Sequence, residues 1–144
     1  MNTEATLPGV FRSMAYITRD YVQAHPTTLF IMGDNMIGKG ISKGAGQAEQ
    51  MRGEPNTIGI PTKYRPSRDE HSYFTDASWN QLVVRGAIVN AFDRVENALI
   101  TGQDVVIPSR GIGTGRAELQ QRAPVIWEYI QDQISQLECR FGEK

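Results

Sequence analysis

The chain has 144 residues, 40% of them apolar, and a formal net charge of −1, which is the size of one ordinary domain with enough apolar side chain for one sizeable core. The near-neutral balance excludes a global basic field for holding an extended nucleic acid, because the basic residues are scattered apart from a modest cluster at Lys63, Arg65 and Arg68. A lone cysteine, Cys139, excludes an internal disulfide and a thiolate zinc site, and two histidines, His25 and His71, are too few for a typical zinc centre.

From the N-terminus, Glu4 and Pro8 stand where a signal peptide would be apolar, and no later run approaches the roughly 18 apolar residues of a membrane span. A cytoplasmic, soluble protein is expected, with no membrane contact, no metal and no cofactor. Residues 1–16 read as a loose arm, 17–138 as the folded domain and 139–144 as a tail. Thr18 caps a short helix, "TRDYVQAH", which Pro26 ends from just beyond. "TLFIMG" is a short apolar run closed by glycine, the pattern of a buried strand. Residues 33–57 carry many glycines and no strand alternation; "GQAEQMR" within them makes a short helix that Gly53 and Pro55 stop. "TIGIP" reads as a second buried strand and "YRPSRDEHSYFTD" as polar loop. Thr75 or Ser78 then caps a long helix to about Leu99, on which Val84, Ile88, Ala91, Phe92, Val95 and Leu99 recur at three- and four-residue steps. After Gly102, "DVVIP" is a third buried strand, followed by the glycine-rich "SRGIGTGRAE". A last helix over 119–137 carries Ala123, Ile126, Trp127, Ile130, Ile134 and Leu137 on one stripe.

Helices alternating with uniformly apolar strands predict a single α/β domain with a mixed, mostly parallel sheet flanked by helices on both faces. In such sheets ligands bind at the C-terminal strand ends. Both glycine-rich loops, 33–46 and 109–115, directly follow a predicted strand.

The first loop is a near-miss for a Walker A motif: Gly33, Gly38 and Lys39 fit G-x-x-x-x-G-K-[ST], but Gly40 stands where the motif needs a hydroxyl for Mg²⁺. Gly40, Gly44 and Gly46 also prevent a helix from starting after the lysine, and "DVVIP" ends without an acidic metal ligand. Two independent parts are missing, which disfavours a P-loop nucleoside triphosphatase. Glycine loops still bring backbone close to a ligand and form nests of N–H donors for an anion. One such stretch is often only a tight turn; two at one sheet edge point to a phosphate-bearing ligand.

The strand into "GDN", then "GKGISKGAGQA", "RGEPNTIGIPTK" and "VVIPSRGIGTGRAELQQRAP", resemble the macro-domain-like proteins of bacteria and phages over residues 17–137, although the "NAAN" and "GGGV" segments of well-studied macro domains are absent. The resemblance implies a macro-domain-like fold and recognition of ADP-ribose or a related nucleotide, some members being hydrolases of ADP-ribosyl linkages and others only binders. It further implies that Asn35 meets the distal ribose. Main-chain N–H groups of 38–46 (Gly38, Lys39, Gly40, Gly44, Ala45 and Gly46 among them) would cradle the diphosphate. So would those of Gly111, Ile112, Gly113 and Thr114, within a loop running from Ser109 to Gly115. Asp34 offers a carboxylate to a ribose hydroxyl or an adenine amino group.

Gly33 and Gln47 border the first loop and are counted with its ligand-binding set. Asp34 and Asn35 could equally form a turn that satisfies its own backbone. Lys39 and Lys43 either pair with phosphates or are solvated. Arg52 and Asn56 are read as fixing their loop. Thr62 and Lys63 emerge at the end of "TIGIP", with Lys63 the preferred side-chain cation and Arg110 comparable. Trp79 and Trp127 read as packing residues; Tyr73 and Phe74, in a polar loop, are candidates for stacking on a base. No Ser/His/Asp or Cys/His set and no close carboxylate pair assembles, and His71 reads as ordinary surface. Hydrolysis would therefore rest on water activated by Asp34 or by a ligand phosphate. The alternative is a module that sequesters a nucleotide signal without turnover, and a purely structural role ranks last.

Overall fold

A computed structural model of the protein describes residues 7–38, 47–115 and 117–143. Four strands, β1 Phe11–Met14, β2 Leu29–Asn35, β3 Thr57–Lys63 and β4 Val105–Pro108, form one sheet in the order β1-β4-β2-β3. Every pairing between these strands is parallel. Among the described residues five α-helices connect or follow them: α1 Arg19–Ala24, α2 Gln47–Met51, α3 Leu82–Ile100, α4 Leu119–Arg122 and α5 Pro124–Phe141.

Uniformly apolar strands mean two buried faces, and two clusters fill them. Phe30 and Met32 of β2 and Val106 of β4 pack with Ile17, Val22, Ala48 and Met51 around α1 and α2. Ile31, Ile58, Ile60, Val105 and Ile107, which point the other way, pack against α3 and α5 through Ile88, Phe92, Val95, Leu99, Ile126, Ile130 and Ile134. Each such fully buried aliphatic contributes about 1.5–3 kcal/mol relative to exposure. The result is a helix–sheet–helix sandwich. Among the described residues no helix is long and apolar enough to cross a membrane.

Local chemistry sets the boundaries. The Thr18 hydroxyl accepts the Tyr21 N–H at 3.1 Å and starts α1. The stretch before α3 is not α-helix: Thr75 and Ser78 form a reciprocal capping box around a 3-10 turn, Asp76–Asn80, and α3 begins only at Leu82. The last helix is also divided. Pro124 has no N–H to continue α4, so the chain breaks at Ala123 and restarts with proline at the first turn of α5.

Residues 11–14, expected in a loose arm, instead form the edge strand β1. Phe11 is buried, the Val10 N–H donates to Asp104 Oδ1 at 2.9 Å, and Gly9 enters so close to Gln103 that a Cβ would lie 1.9 Å from its carbonyl oxygen. The expected tail is likewise partly folded, since α5 continues to Phe141 and Gly142 bridges to Phe11.

Candidate functional site

The candidate site lies at the C-terminal ends of the strands. The β2–β3 ladder runs from Phe30↔Thr57 to Asn35↔Lys63, whereas β2 and β4 are registered only at Leu29↔Val105 and Phe30↔Val106. Beyond Phe30 and Val106 the two central strands no longer pair. From β2 the chain turns to α2 and outward to β3, while from β4 it passes through α4 to α5, which packs on β1. Neighbouring strands whose connections leave in opposite directions make a switch point, where a crevice opens above the sheet.

The loop 109–115 folds back over this split. The Ser109 N–H donates to the Met14 carbonyl at 2.7 Å and the Gly111 N–H to that of Pro108 at 2.8 Å. Gly111 and Gly113 hold φ of 80° and 75°, the left-handed region that glycine enters without a Cβ penalty. A Cβ on Gly33 would sit 3.5 Å from both the Gly113 nitrogen and Ile112 Cβ, so the end of β2 and this loop are in contact. Gly113 is wedged in: its Cβ would lie 2.9 Å from Leu119 and 3.3 Å from Thr62, and its carbonyl accepts the Leu119 N–H at 3.1 Å. The Ile112 side chain is a core residue, whereas Ser109, Arg110, Thr114 and Gly115 are exposed.

Asp34 does not join this face. Successive strand side chains alternate, so Asp34 points opposite to Gly33. There its Oδ1 accepts Arg52 at 2.6 Å and the Asn35 N–H at 2.7 Å. Both members of the ion pair are 13% exposed. Gly59 makes room for it, since a Cβ at that position would lie 2.6 Å from Asp34 Oδ2. The expected catalytic carboxylate is thus a loop anchor separated from the 109–115 loop by the sheet.

Other polar candidates are engaged by the fold. Asn35 is buried; its Oδ1 accepts the Ile37 N–H at 3.1 Å and its carbonyl the Gly38 N–H, a self-satisfied turn with Gly38 at φ 63°. Thr62 donates to the Asp34 carbonyl at 3.1 Å. Gln47, expected to face a ligand, clamps both backbone groups of Ile17 at 2.8 and 2.7 Å. Asn56 Nδ2 faces the carbonyls of Val22, His25 and Thr28, so Asn56, like Arg52, fixes its loop. Lys39, Gly40, Lys43, Gly44, Ala45 and Gly46 lie outside the described residues.

Lys63 is buried rather than presented to solvent. Its Nζ donates to the Ser67 carbonyl at 2.8 Å and lies 4.4 Å from the centroid of Tyr73. Tyr73 and Phe74 are correspondingly unavailable for stacking on a base. Tyr73 is 6% exposed and bridges back to Lys63, and Phe74 is in the core against Tyr64. Two residues that the sequence did not single out complete this corner. The Arg122 guanidinium lies 3.8 Å from the Tyr73 ring centroid and donates to both carboxylate oxygens of Glu70, at 2.9 and 3.2 Å. That hydrogen-bonded pairing holds the Glu70 carboxyl below its ordinary range and raises Arg122. No local pattern could have flagged the pair, because the partners are 52 residues apart.

A concavity of about 480 Å³ opens at the opposite end of the sheet beside Leu29, Asp93, Asn97, Thr101 and Gln103, and holds none of the expected site residues. Among the described residues no group of three or more His, Cys, Asp or Glu is placed to hold a metal ion.

The chain belongs to a family of unknown function (DUF7831), matched over residues 12–133, from β1 into α5. No curated protein and no solved structure matches it.

Proposed function

We propose that this member of the DUF7831 family binds a nucleotide diphosphate of the ADP-ribose type, without Mg²⁺, in the crevice between the C-terminal ends of β2 and β4. The observation that carries the reading is the early end of β2–β4 pairing, because it sets the starts of both glycine-rich loops on either side of one split. Gly38, Gly111 and Gly113, all at positive φ, shape the backbone for anion-binding nests. The Gly38 and Gly111 N–H groups, expected among the donors, are spent on the Asn35 and Pro108 carbonyls, so the amides of Ile112, Gly113 and Thr114 are the proposed donors. The sequence resemblance to macro-domain-like proteins supplies the nucleotide class. Binding without turnover is the favoured form, since Asp34 already accepts two hydrogen bonds on the far face of the sheet and offers no base to this crevice.

Calorimetry with ADP-ribose, NAD and ATP, each with and without Mg²⁺, tests this. Saturable, Mg²⁺-independent binding of ADP-ribose with the ligand recovered unchanged is the expected result. Tight ATP binding that requires Mg²⁺ would return the first loop to the Walker class. Release of ADP-ribose from a modified protein or from ADP-ribose 1″-phosphate, lost in Asp34→Ala, would make the protein a hydrolase.

A further inference from the structure

We propose that Arg122 is an anion-receiving residue of this site, and that the Glu70 carboxylate occupies it as an internal stand-in which a phosphate-bearing ligand displaces. The inference rests on the crevice reading above for the ligand's identity, but not for the anion chemistry.

Four observations carry it. First, the guanidinium is already in receptor geometry, with two nitrogens on two oxygens of one carboxylate at 2.9 and 3.2 Å. The fork that fits a carboxylate fits a phosphate equally well. Second, the two partners are held unequally. Arg122 is stacked over the buried Tyr73 ring and is 28% exposed, whereas the Glu70 side chain is 78% exposed on a three-residue 3-10 turn, Glu70–Ser72. Exposed ion pairs of this kind are weak and screened by salt, so Glu70 can be replaced without dismantling the corner. Third, the Arg122 Nε is buried with no hydrogen-bond partner; it forms an ion pair with Glu118 at 3.6 Å but no hydrogen bond. A phosphate brings more acceptor oxygens than the carboxylate it replaces. Fourth, the corner adjoins the crevice: α4 carries Arg122 one turn after Leu119, which touches Gly113, and Lys63 lies over the same Tyr73 ring directly after Thr62, which also touches Gly113.

Titration calorimetry of wild type, Glu70→Gln and Arg122→Gln with inorganic pyrophosphate and, separately, with ADP-ribose tests the idea. Thermal unfolding of each variant confirms that it is folded. Removing the stand-in should tighten pyrophosphate binding by about three- to tenfold, and removing the receptor should weaken it at least tenfold. Arg122→Lys, folded but lacking the fork, should not restore it. A Glu70→Gln variant that binds pyrophosphate as wild type does, or more weakly, overturns the proposal and leaves the pair a structural latch. Opposite responses of the two variants to pyrophosphate, with no ADP-ribose binding by any form, uphold the anion site and remove the nucleotide. Unaltered ADP-ribose binding in both variants removes Arg122 and leaves the crevice.

Discussion

Asp34, Lys63 and Gln47 show how strongly a fold competes for polar side chains beside a glycine loop. Each follows or borders a loop that could hold a ligand, and each is instead bonded to the protein: Asp34 to Arg52, Lys63 to the Ser67 carbonyl, Gln47 to the backbone of Ile17. The sequence supplies these groups but not their directions, because the partners are distant in the chain and a strand side chain's face depends on register. The loop-fixing roles of Arg52 and Asn56 were legible, and the turn at Asn35 was one of two open readings, since an Asx residue beside glycine can satisfy its own backbone. The Asp34–Arg52 anchor makes a prediction at this scale. Gly59→Ala would put a Cβ 2.6 Å from the Asp34 Oδ2 and 2.7 Å from its Cβ, so the Asp34 side chain must shift. Overpacking of this kind costs about 1–3 kcal/mol. A lowered denaturant midpoint with an unchanged slope is expected, and a midpoint equal to wild type would mean that the anchor shifts freely.

At the scale of elements, the three short apolar runs announced β2, β3 and β4 because strands buried on both faces need no alternation. β1 was missed because "FRSM" has one fully buried apolar residue, and its strand state comes from pairing with β4, not from its own pattern. The break before α5 was carried by Pro124, but the helical stripe on either side masked it. The segment 64–76 read as polar loop, yet it is tied to the sheet by the Lys63–Tyr73 bridge and to α4 by Glu70–Arg122. That tie has a pH signature. Hydrogen bonding and charge from Arg122 lower the folded-state pKa of Glu70 below 4.5. A depressed carboxyl contributes stability that is fully present above its unfolded value and is lost as pH falls through the folded one. The difference in unfolding temperature between wild type and Glu70→Gln should therefore be constant above pH 4.5 and shrink below it. A difference that grows on acidification would contradict the pairing.

For the whole molecule, strand order is the informative feature, and it was the least legible. Composition and periodicity foretold a helix-flanked, largely parallel sheet, but not that β4 would insert between β1 and β2. That insertion depends on β3 crossing back through α3, whose Ile88, Phe92, Val95 and Leu99 cover one face of the sheet. It is the insertion that brings the ends of β2 and β4 together, so that residues as distant in the chain as Gly33 and Gly113 touch. The ligand reading stands on that meeting point, while the groove of about 480 Å³ at the other end of the sheet offers an independent control surface.

The measurement that bears most directly on this reading is an amide-resolved NMR titration of the ¹⁵N-labelled protein with ADP-ribose in the absence of Mg²⁺. Saturable shifts concentrated at Gly33, Gly111, Ile112, Gly113 and Thr114, with Asn97, Thr101 and Gln103 unmoved, are the predicted result. Shifts centred on Asn97, Thr101 and Gln103, or no saturable shift at either end, would contradict it.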